Sequence, residues 1–168
     1  KPYAHYLTRI LTASVYDVAV ETPLDTARSL SQRAGNHVLL KREDLQPVFS
    51  FKIRGAYNKM AKLPQEALEK GVIAASAGNH AQGVAWASHR LGVQAITVMP
   101  HGAPATKIAG VQHWGATVRQ HGNSYDEAFA FARELAEQNG YRFLSAFDDP
   151  DVIAGQGTLG IELAPHAP

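Results

Sequence analysis

The feature that most limits the fold of this sequence is the regular alternation of short β-rich runs and longer helical patterns after Gly71. Four such runs, each next to a Gly, Pro or Asn, predict β-strands. They are Val72–Ala75, Ala95–Met99, Ala116–Arg119 and Tyr141–Leu144. The segments between them carry apolar residues three and four positions apart, as amphipathic helices do. This strand–helix–strand series predicts an α/β fold, a parallel sheet with helices on both faces.

Local signals place further elements along the chain. Ser124 and Glu127 form a capping-box pattern at the start of a helix that ends near Gly140. In the first fifty residues, Arg28–Ala34 reads as a helix and Val38–Leu40 as a strand. Ser50 is a candidate cap for a helix that follows it. The α/β pattern therefore extends over the whole chain, although its first part is less regular.

The composition excludes several classes of protein. The chain has 168 residues, a hydrophobic fraction of 45% and a net charge of +1, which are values of a globular protein without a nucleic-acid or membrane partner. The absence of cysteine excludes disulfides, thiol nucleophiles and thiolate metal sites. No signal-peptide pattern begins the sequence, and we expect a cytoplasmic protein.

Three motifs are better explained by structure than by function. Gly155–Gly160 matches the G-x-G-x-x-G dinucleotide fingerprint, but Asp148–Ile153 before it reads as a loop rather than the strand that the motif requires. The eight histidines show no metal-ligand spacing, so no metal site is predicted. Glu43 and Asp44 are adjacent and point to opposite faces of a strand, which suits strand-end charges and not a catalytic carboxylate pair.

The segment Ser50–Ala56 places Lys52 at the start of a predicted helix, beside the ring of Phe51. A reactive lysine must be neutral, so its pKa must fall several units from about 10.4. The positive end of the helix dipole contributes at most roughly 2 kcal/mol, and desolvation or imine formation must supply the rest. A surface lysine remains the alternative interpretation.

The segment Ala75–Gly83 contains a small strand-to-helix turn after the predicted strand Val72–Ala75. The free N–H groups and the helix-end potential of such a turn suit an anion, for example a carboxylate, and Asn79 adds a side-chain donor. Tight turns also use Gly and Asn for their shape alone, so this signal is ambiguous by itself.

Taken together, five segments resemble the threonine dehydratase (threonine ammonia-lyase) family of fold-type II pyridoxal-phosphate enzymes, in that family's order and spacing. These segments are Lys41–Asp44, Ser50–Tyr57, Ser76–Gly83, Asp148–Pro150 and Gly155–Thr158. The stretches Tyr6–Thr22 and Gln46–Val48 resemble the biosynthetic branch, which leads to isoleucine. The resemblance implies pyridoxal 5′-phosphate as cofactor, and deamination of L-threonine and L-serine by elimination of water.

The family's residue roles can be transferred to the matching positions. Lys52 matches the Schiff-base lysine that also takes the substrate Cα proton, and Phe51 matches the aromatic residue beside the cofactor. Asn79 matches the residue that bonds the cofactor's 3′ oxygen. The loop that holds the substrate carboxylate is matched by Ser76, Ala77, Gly78, Asn79 and His80.

The resemblance also implies a domain organisation. Residues 1–54 match the first segment of a large cofactor domain, 55–150 a small α/β domain, and 151–168 the return to the large domain. The family's phosphate cup and its serine at the pyridine nitrogen lie beyond residue 168. We therefore expect the front part of a longer, homo-oligomeric enzyme, inactive as residues 1–168 alone.

Two alternatives remain open. The first is serine racemase or another serine- or threonine-directed enzyme of the same fold. Serine racemase carries a serine acid/base where Ala77 stands here, and alanine cannot exchange a proton. The second alternative is a non-catalytic α/β binding domain in which Lys52 is merely exposed.

Overall fold

The computed structural model of the protein describes residues 4–166; residues 1–3 and 167–168, parts of the predicted first and last segments, lie outside the described residues. The helices are α1 (Ala4–Leu11), α2 (Arg28–Ala34), α3 (Lys52–Ala61), α4 (Gln65–Glu69), α5 (Asn79–Leu91), α6 (Ala105–His113), α7 (Tyr125–Asn139) and α8 (Pro150–Leu163). The strands are β1 (Leu24–Thr26), β2 (Leu39–Lys41), β3 (Val72–Ala75), β4 (Ala95–Met99), β5 (Thr117–Gln120) and β6 (Arg142–Phe143). Short 3-10 turns cover Glu43–Leu45 and Ala164–His166.

A four-stranded parallel sheet in the order β5-β4-β3-β6 forms the centre of the molecule. Successive side chains of a strand point to opposite faces of its sheet. On β3, Val72 and Ala74 accordingly join the apolar core that contains the buried side chains of α3 and α5. Ile73 and Ala75 join a second core with the alanines of α7. The predicted α/β fold, with helices on both faces of a parallel sheet, is confirmed.

Several predicted boundaries agree with the structure, and others move by one residue. The predictions for β3, β4 and α2 have the observed limits. The predicted strand Ala116–Arg119 begins and ends one residue early, because the ladder with β4 continues to the pair Met99–Gln120. Tyr141–Leu144 was predicted one residue too long at each end, since β6 lies at the sheet edge and pairs only with β3.

The strand predicted at Val38–Leu40 is β2, which also lies one residue later. It pairs with β1, which the sequence did not predict, in a separate antiparallel ribbon, with Leu24 opposite Lys41. Residues 4–41 thus contribute no strand to the parallel sheet. Their alternation was correctly recognised, but the strand pairing was not.

The helix-start signals were right for α7 and wrong for α3. Ser124 Oγ accepts a hydrogen bond from the Glu127 N–H at 3.2 Å, while the Glu127 carboxylate accepts from the N–H of Asn123, 2.5 Å away, rather than from Ser124. Ser50 does not cap α3, because Phe51 already has helical backbone angles and no side chain caps the helix. The Ser50 Oγ lies 3.4 Å from the Lys52 nitrogen, at the limit of a hydrogen bond.

The segment Asp148–Ile153 was predicted as a loop, and this prediction is wrong after residue 149. Helix α8 begins at Pro150, where proline is favoured in a first turn. The Asp149 carboxylate caps it, accepting from the N–H groups of Asp151 and Val152 at 2.8 and 3.3 Å. The glycine motif Gly155–Gly160 therefore lies inside a helix and does not form a phosphate-binding turn.

Candidate active site

Lys52 is the first residue of α3, and its side chain reaches the carboxyl edge of the sheet. Its Nζ donates a hydrogen bond to the carbonyl oxygen of Ala146, just after β6, at 2.8 Å. The same Nζ lies 5.4 Å from the centre of the Phe51 ring. Burial lowers the pKa of Lys52 below its ordinary value, because desolvation disfavours the ammonium form. The pKa of Lys52 is therefore shifted in the direction that the sequence argument required of a reactive amine.

Close packing of two helices fixes the start of α3. A Cβ atom added at Gly83 of α5 would lie 3.0 Å from the carbonyl oxygen of Lys52. Only glycine allows the two helices to approach this closely without a shift of the backbone. Along α3, Ile53, Ala56 and Met60 are buried in the same core as α5. The backbone of Lys52 is thus held against the helix that follows the candidate anion-binding turn.

That turn follows β3 and leads into α5, at the same edge of the sheet. The Ser76 N–H donates a hydrogen bond to the carbonyl oxygen of Val98 at 3.0 Å. The Gly78 N–H donates to Ser76 Oγ at 3.2 Å. Because α5 begins at Asn79, the N–H groups of its first turn have no acceptor within the helix. A Cβ atom added at Gly78 would meet no atom within 4 Å, so the space over the turn is open to a ligand.

His80 has a different position from the rest of the turn. Its imidazole is buried, and the hydrogen bond of 3.2 Å between Nε2 and the carbonyl oxygen of Leu144 requires the proton on Nε2. Burial, assisted by the nearby charge of Lys52, lowers the pKa of His80 to about 4. The imidazole is therefore neutral at pH 7, and only the backbone of His80 remains available to the open side of the turn.

The two sequence segments that carry the candidate chemistry converge on one short stretch of chain. Lys52 Nζ is hydrogen-bonded to the carbonyl oxygen of Ala146, and the His80 imidazole to the carbonyl oxygen of Leu144. The carboxyl ends of parallel strands are the usual place for ligands in α/β sheets. The structure therefore brings Lys52 and the turn at 76–80 to the same edge of the sheet.

The remaining predicted residues lie at the solvent side of this site. Phe51 is 38% exposed, and the side chain of Asn79 is exposed. Asn79 Oδ1 accepts a hydrogen bond from Lys107 Nζ at 3.1 Å. The sequence analysis missed Lys107, which lies in α6. Its spacing from Asn79 follows no helical or strand period, and no local sequence signal could have found it.

Arg54, in the first turn of α3, is the centre of a buried ionic network that was not predicted from the sequence. Its guanidinium donates to both oxygens of Glu43 at 2.9 Å, and to Glu162 at 2.5 and 3.1 Å. Lys41 Nζ lies 2.6 Å from Oε2 of Glu162, which Arg54 also contacts. The expectation that Glu43 and Asp44 are strand-end charges is thus wrong for Glu43, which is buried.

The network balances two cations against two carboxylates. Burial opposes the ionisation of Glu162, but hydrogen bonds from Arg54, Lys41 and Tyr16 outweigh it and hold the pKa of Glu162 below its ordinary value. Buried charges need such partners to be tolerated. The network therefore ties β2, α3 and α8 together through Arg54, two residues after Lys52.

Two kinds of feature do not occur in residues 4–166. No helix there is long and apolar enough to cross a membrane. Nor does that part of the chain contain a group of three or more His, Cys, Asp or Glu side chains placed to hold a metal ion.

Comparison with known proteins finds one protein family and a consistent set of relatives. The sequence model of the family described as pyridoxal-phosphate dependent enzyme matches residues 15–167. The biosynthetic, chloroplastic threonine dehydratase 1 of Solanum lycopersicum is 63% identical over 158 residues, which are 94% of this chain and 26% of that protein. The biosynthetic L-threonine dehydratase of Burkholderia multivorans is 57% identical over 161 residues, 94% of this chain and 32% of that protein.

Solved structures give the same result. The processed form of threonine deaminase isoform 2 from Solanum lycopersicum superposes with a TM-score of 0.91 at 52% identity, covering 97% of this chain and 45% of that one. Maize serine racemase superposes with a TM-score of 0.89 at 31% identity, covering 96% of this chain and 50% of that one. The chain thus spans between 26% and 32% of those two curated relatives and about half of these solved chains.

Proposed function

This chain belongs to the family of pyridoxal-phosphate-dependent enzymes, and we propose that the protein carrying it deaminates L-threonine, and L-serine, to a 2-oxo acid and ammonia. The observation that carries the proposal is the meeting of Lys52 with the turn at 76–80 at one edge of the sheet. The names of relatives more than half identical to this chain agree with it. Their description as biosynthetic supports a place at the start of isoleucine synthesis.

The residues at the site fit the cofactor by their chemistry. An aldehyde needs a primary amine that is neutral part of the time, and Lys52 is a half-buried lysine whose pKa is lowered by burial. An anionic oxygen needs donors, and the first turn of α5 supplies N–H groups beside the side chain of Asn79. Lys52 would therefore hold the cofactor covalently, Phe51 would lie beside it, and Asn79 would donate to its ring oxygen.

When bound, the cofactor supplies an electron sink for negative charge at the substrate Cα. The turn at 76–80 binds the substrate carboxylate through the N–H groups that remain once those of Ser76 and Gly78 are used, and it fixes the direction of the Cα–H bond. Lys52 Nζ, when free, accepts the Cα proton, and its contact with the carbonyl of Ala146 keeps it at the site. With the loss of the β-hydroxyl as water and the later addition of water, threonine gives 2-oxobutanoate and ammonia.

Racemisation is the second function that this fold supports, and Ala77 argues against it. A racemase needs a second proton-exchanging group on the opposite face of the substrate. Ala77 lies in the turn, at the position that matches the racemase serine, and packs against the apolar core with a side chain that carries no exchangeable proton. We therefore propose elimination as the reaction, with serine racemisation as the alternative to be measured.

The test is cofactor loading and turnover in the full-length protein. We expect the wild-type protein to show a visible absorption band with pyridoxal phosphate, and borohydride reduction followed by peptide mapping to label Lys52. Lys52→Ala removes the covalent anchor and the base together, so both the band and 2-oxobutanoate formation should be lost. Lys70→Ala, an exposed lysine at the end of α4, is the matched control and should retain both. A label on another lysine, or turnover by Lys52→Ala, would refute the assignment.

Three further statements remain predictions that belong to this proposal. They are the division into segments 1–54, 55–150 and 151–168, a homo-oligomeric state, and a cytoplasmic location. Limited proteolysis, light scattering and fractionation of the full-length protein would test them in turn.

A further inference from the structure

The contact between Lys107 and Asn79 determines which way the Asn79 amide faces. Lys107 Nζ lies 3.1 Å from Asn79 Oδ1. A lysine ammonium has three donors and no acceptor, so the amide atom facing it must be the oxygen. The Nδ2 group, which carries both N–H donors of the amide, is therefore turned away from Lys107.

Packing between α5 and α6 holds Lys107 in place. A Cβ atom added at Gly110 would lie 2.9 Å from Nε2 of Gln82, so the glycine lets α6 approach α5 closely. The Lys107 N–H itself donates to the carbonyl of Pro104 at 2.9 Å in the first turn of α6. The position of Nζ relative to Asn79 thus depends on two packed helices as well as on the lysine side chain.

Among residues 4–166, Lys107 has no carboxylate partner. In the part of the chain that the structure describes, no ion pair within 4.0 Å involves it, whereas Lys41, Lys59 and Lys62 all have carboxylate partners. One side of the half-buried Lys107 borders a cavity of about 420 Å³. Its hydrogen bond to Asn79 is therefore the polar contact that defines its position.

We propose that Lys107 is a positioning residue, which holds the Asn79 amide with Oδ1 outward so that Nδ2 donates to the anionic ring oxygen of the cofactor. This inference rests on the proposed function, because it needs the cofactor at Asn79. Without the lysine, the exposed amide can rotate and present its oxygen to the same anionic oxygen, which repels it. The lysine thus acts through Asn79 and does not touch the cofactor.

The experiment measures binding and spectrum rather than turnover. Pyridoxal phosphate is titrated into the full-length wild-type protein and into Lys107→Met, Lys107→Arg, Asn79→Ala and the double variant Lys107→Met/Asn79→Ala. Lys70→Met is the matched control for loss of an exposed lysine. The readouts are the dissociation constant and the wavelength of the visible absorption maximum, with thermal unfolding of the cofactor-free protein to detect general damage.

We expect Lys107→Met to weaken cofactor binding by about 3- to 10-fold, as loss of an oriented hydrogen bond does, and to shift the absorption maximum. Lys107→Arg keeps a donor and should restore both values to near wild type, and Lys70→Met should change neither. In the Asn79→Ala background, Lys107→Met should have no further effect, because the group that it positions is absent.

Two results would overturn the inference while leaving the proposed function intact. One is a Lys107→Met protein that loads normally with an unshifted maximum. The other is an equal effect of Lys107→Met with and without Asn79, which would assign the lysine a direct charge effect. A wild-type protein that shows no visible band would instead refute the proposed function, and the inference with it.

Discussion

Three identical substitutions along α8 test whether its glycines serve helix packing. The motif Gly155–Gly160 offers Gly155→Ala, Gly157→Ala and Gly160→Ala on one helix. A Cβ atom at Gly155 would lie 2.6 Å from the carbonyl oxygen of Arg54 and 2.7 Å from Cα of Gly55, both backbone atoms of α3. At Gly157 the Cβ would lie 2.6 Å from Cδ1 of Ile10, the flexible end of a side chain, and at Gly160 it would meet no atom within 4 Å.

The magnitude follows from comparing substitutions that share the same helix propensity. Replacing a helical glycine by alanine stabilises a helix by about 0.5–1 kcal/mol, and this gain is nearly equal at the three positions. Overpacking against atoms that cannot move away costs about 1–3 kcal/mol. We therefore expect Gly160→Ala to raise the free energy of unfolding slightly, Gly157→Ala to change it little, and Gly155→Ala to lie about 1–3 kcal/mol below Gly160→Ala.

The assay is urea and thermal unfolding of the three variants of the full-length protein under one set of conditions. A difference of 1 kcal/mol corresponds to roughly 2–4 °C in Tm for a domain of this size, so the predicted order is measurable. Equal stability of Gly155→Ala and Gly160→Ala would refute the packing role. A specific loss of dinucleotide binding in all three variants would instead revive the nucleotide interpretation of the motif.

Two further predictions concern the turn and the start of α5. Gly78→Leu should raise the KM for threonine about tenfold or more, the equivalent of roughly 1.4 kcal/mol of binding, because the leucine side chain enters the open space over the turn. An unchanged KM with an unchanged Tm would exclude a role of the turn in carboxylate binding. For His80, the folded pKa of about 4 lies below the ordinary value of 6.5, so the unfolded chain binds the extra proton between these pH values. Stability should therefore fall as pH drops through this window, by at most about 1.4 kcal/mol per pH unit. The slope should be smaller in His80→Gln, and equal slopes in urea titrations would show that His80 is not the titrating group.

The parts of the fold that the sequence predicted are those with a local signal. The β3 run Val72–Ala75 could be placed because its neighbours are a glycine and a polar turn, and because its spacing to the next run fits a crossover helix. The same local signals singled out Lys52 and Ser76–His80 at the starts of α3 and α5, but left their roles ambiguous, and the roles came from the family resemblance. Apolar periodicity and the Gly, Pro or Asn residues at element boundaries are signals that span a few residues. They therefore predict single elements and their ends.

The Arg54 network could not be predicted in this way. Arg54 binds Glu43 and Glu162, which are 11 and 108 positions away in the chain, and no period relates these distances. Buried ion pairs arise from the tertiary packing of β2, α3 and α8, and each partner alone resembles an ordinary surface charge. From the sequence alone, Glu43 was therefore interpreted as a strand-end charge, and no role was predicted for Arg54.

His80 lies between these two cases, because a signal was present and was not used. Neighbouring residues of a helix point about 100° apart, whereas positions four and seven later share a face. His80 shares its face with Val84 and Ala87, which are completely buried, whereas Asn79 lies on the exposed side of the helix. The helical period therefore places the imidazole in the core. The resemblance assigned the whole of Ser76–His80 to the carboxylate, but the helical period divides it. The side chain of His80 anchors α5 to Leu144, and with its low pKa it serves as a neutral structural donor.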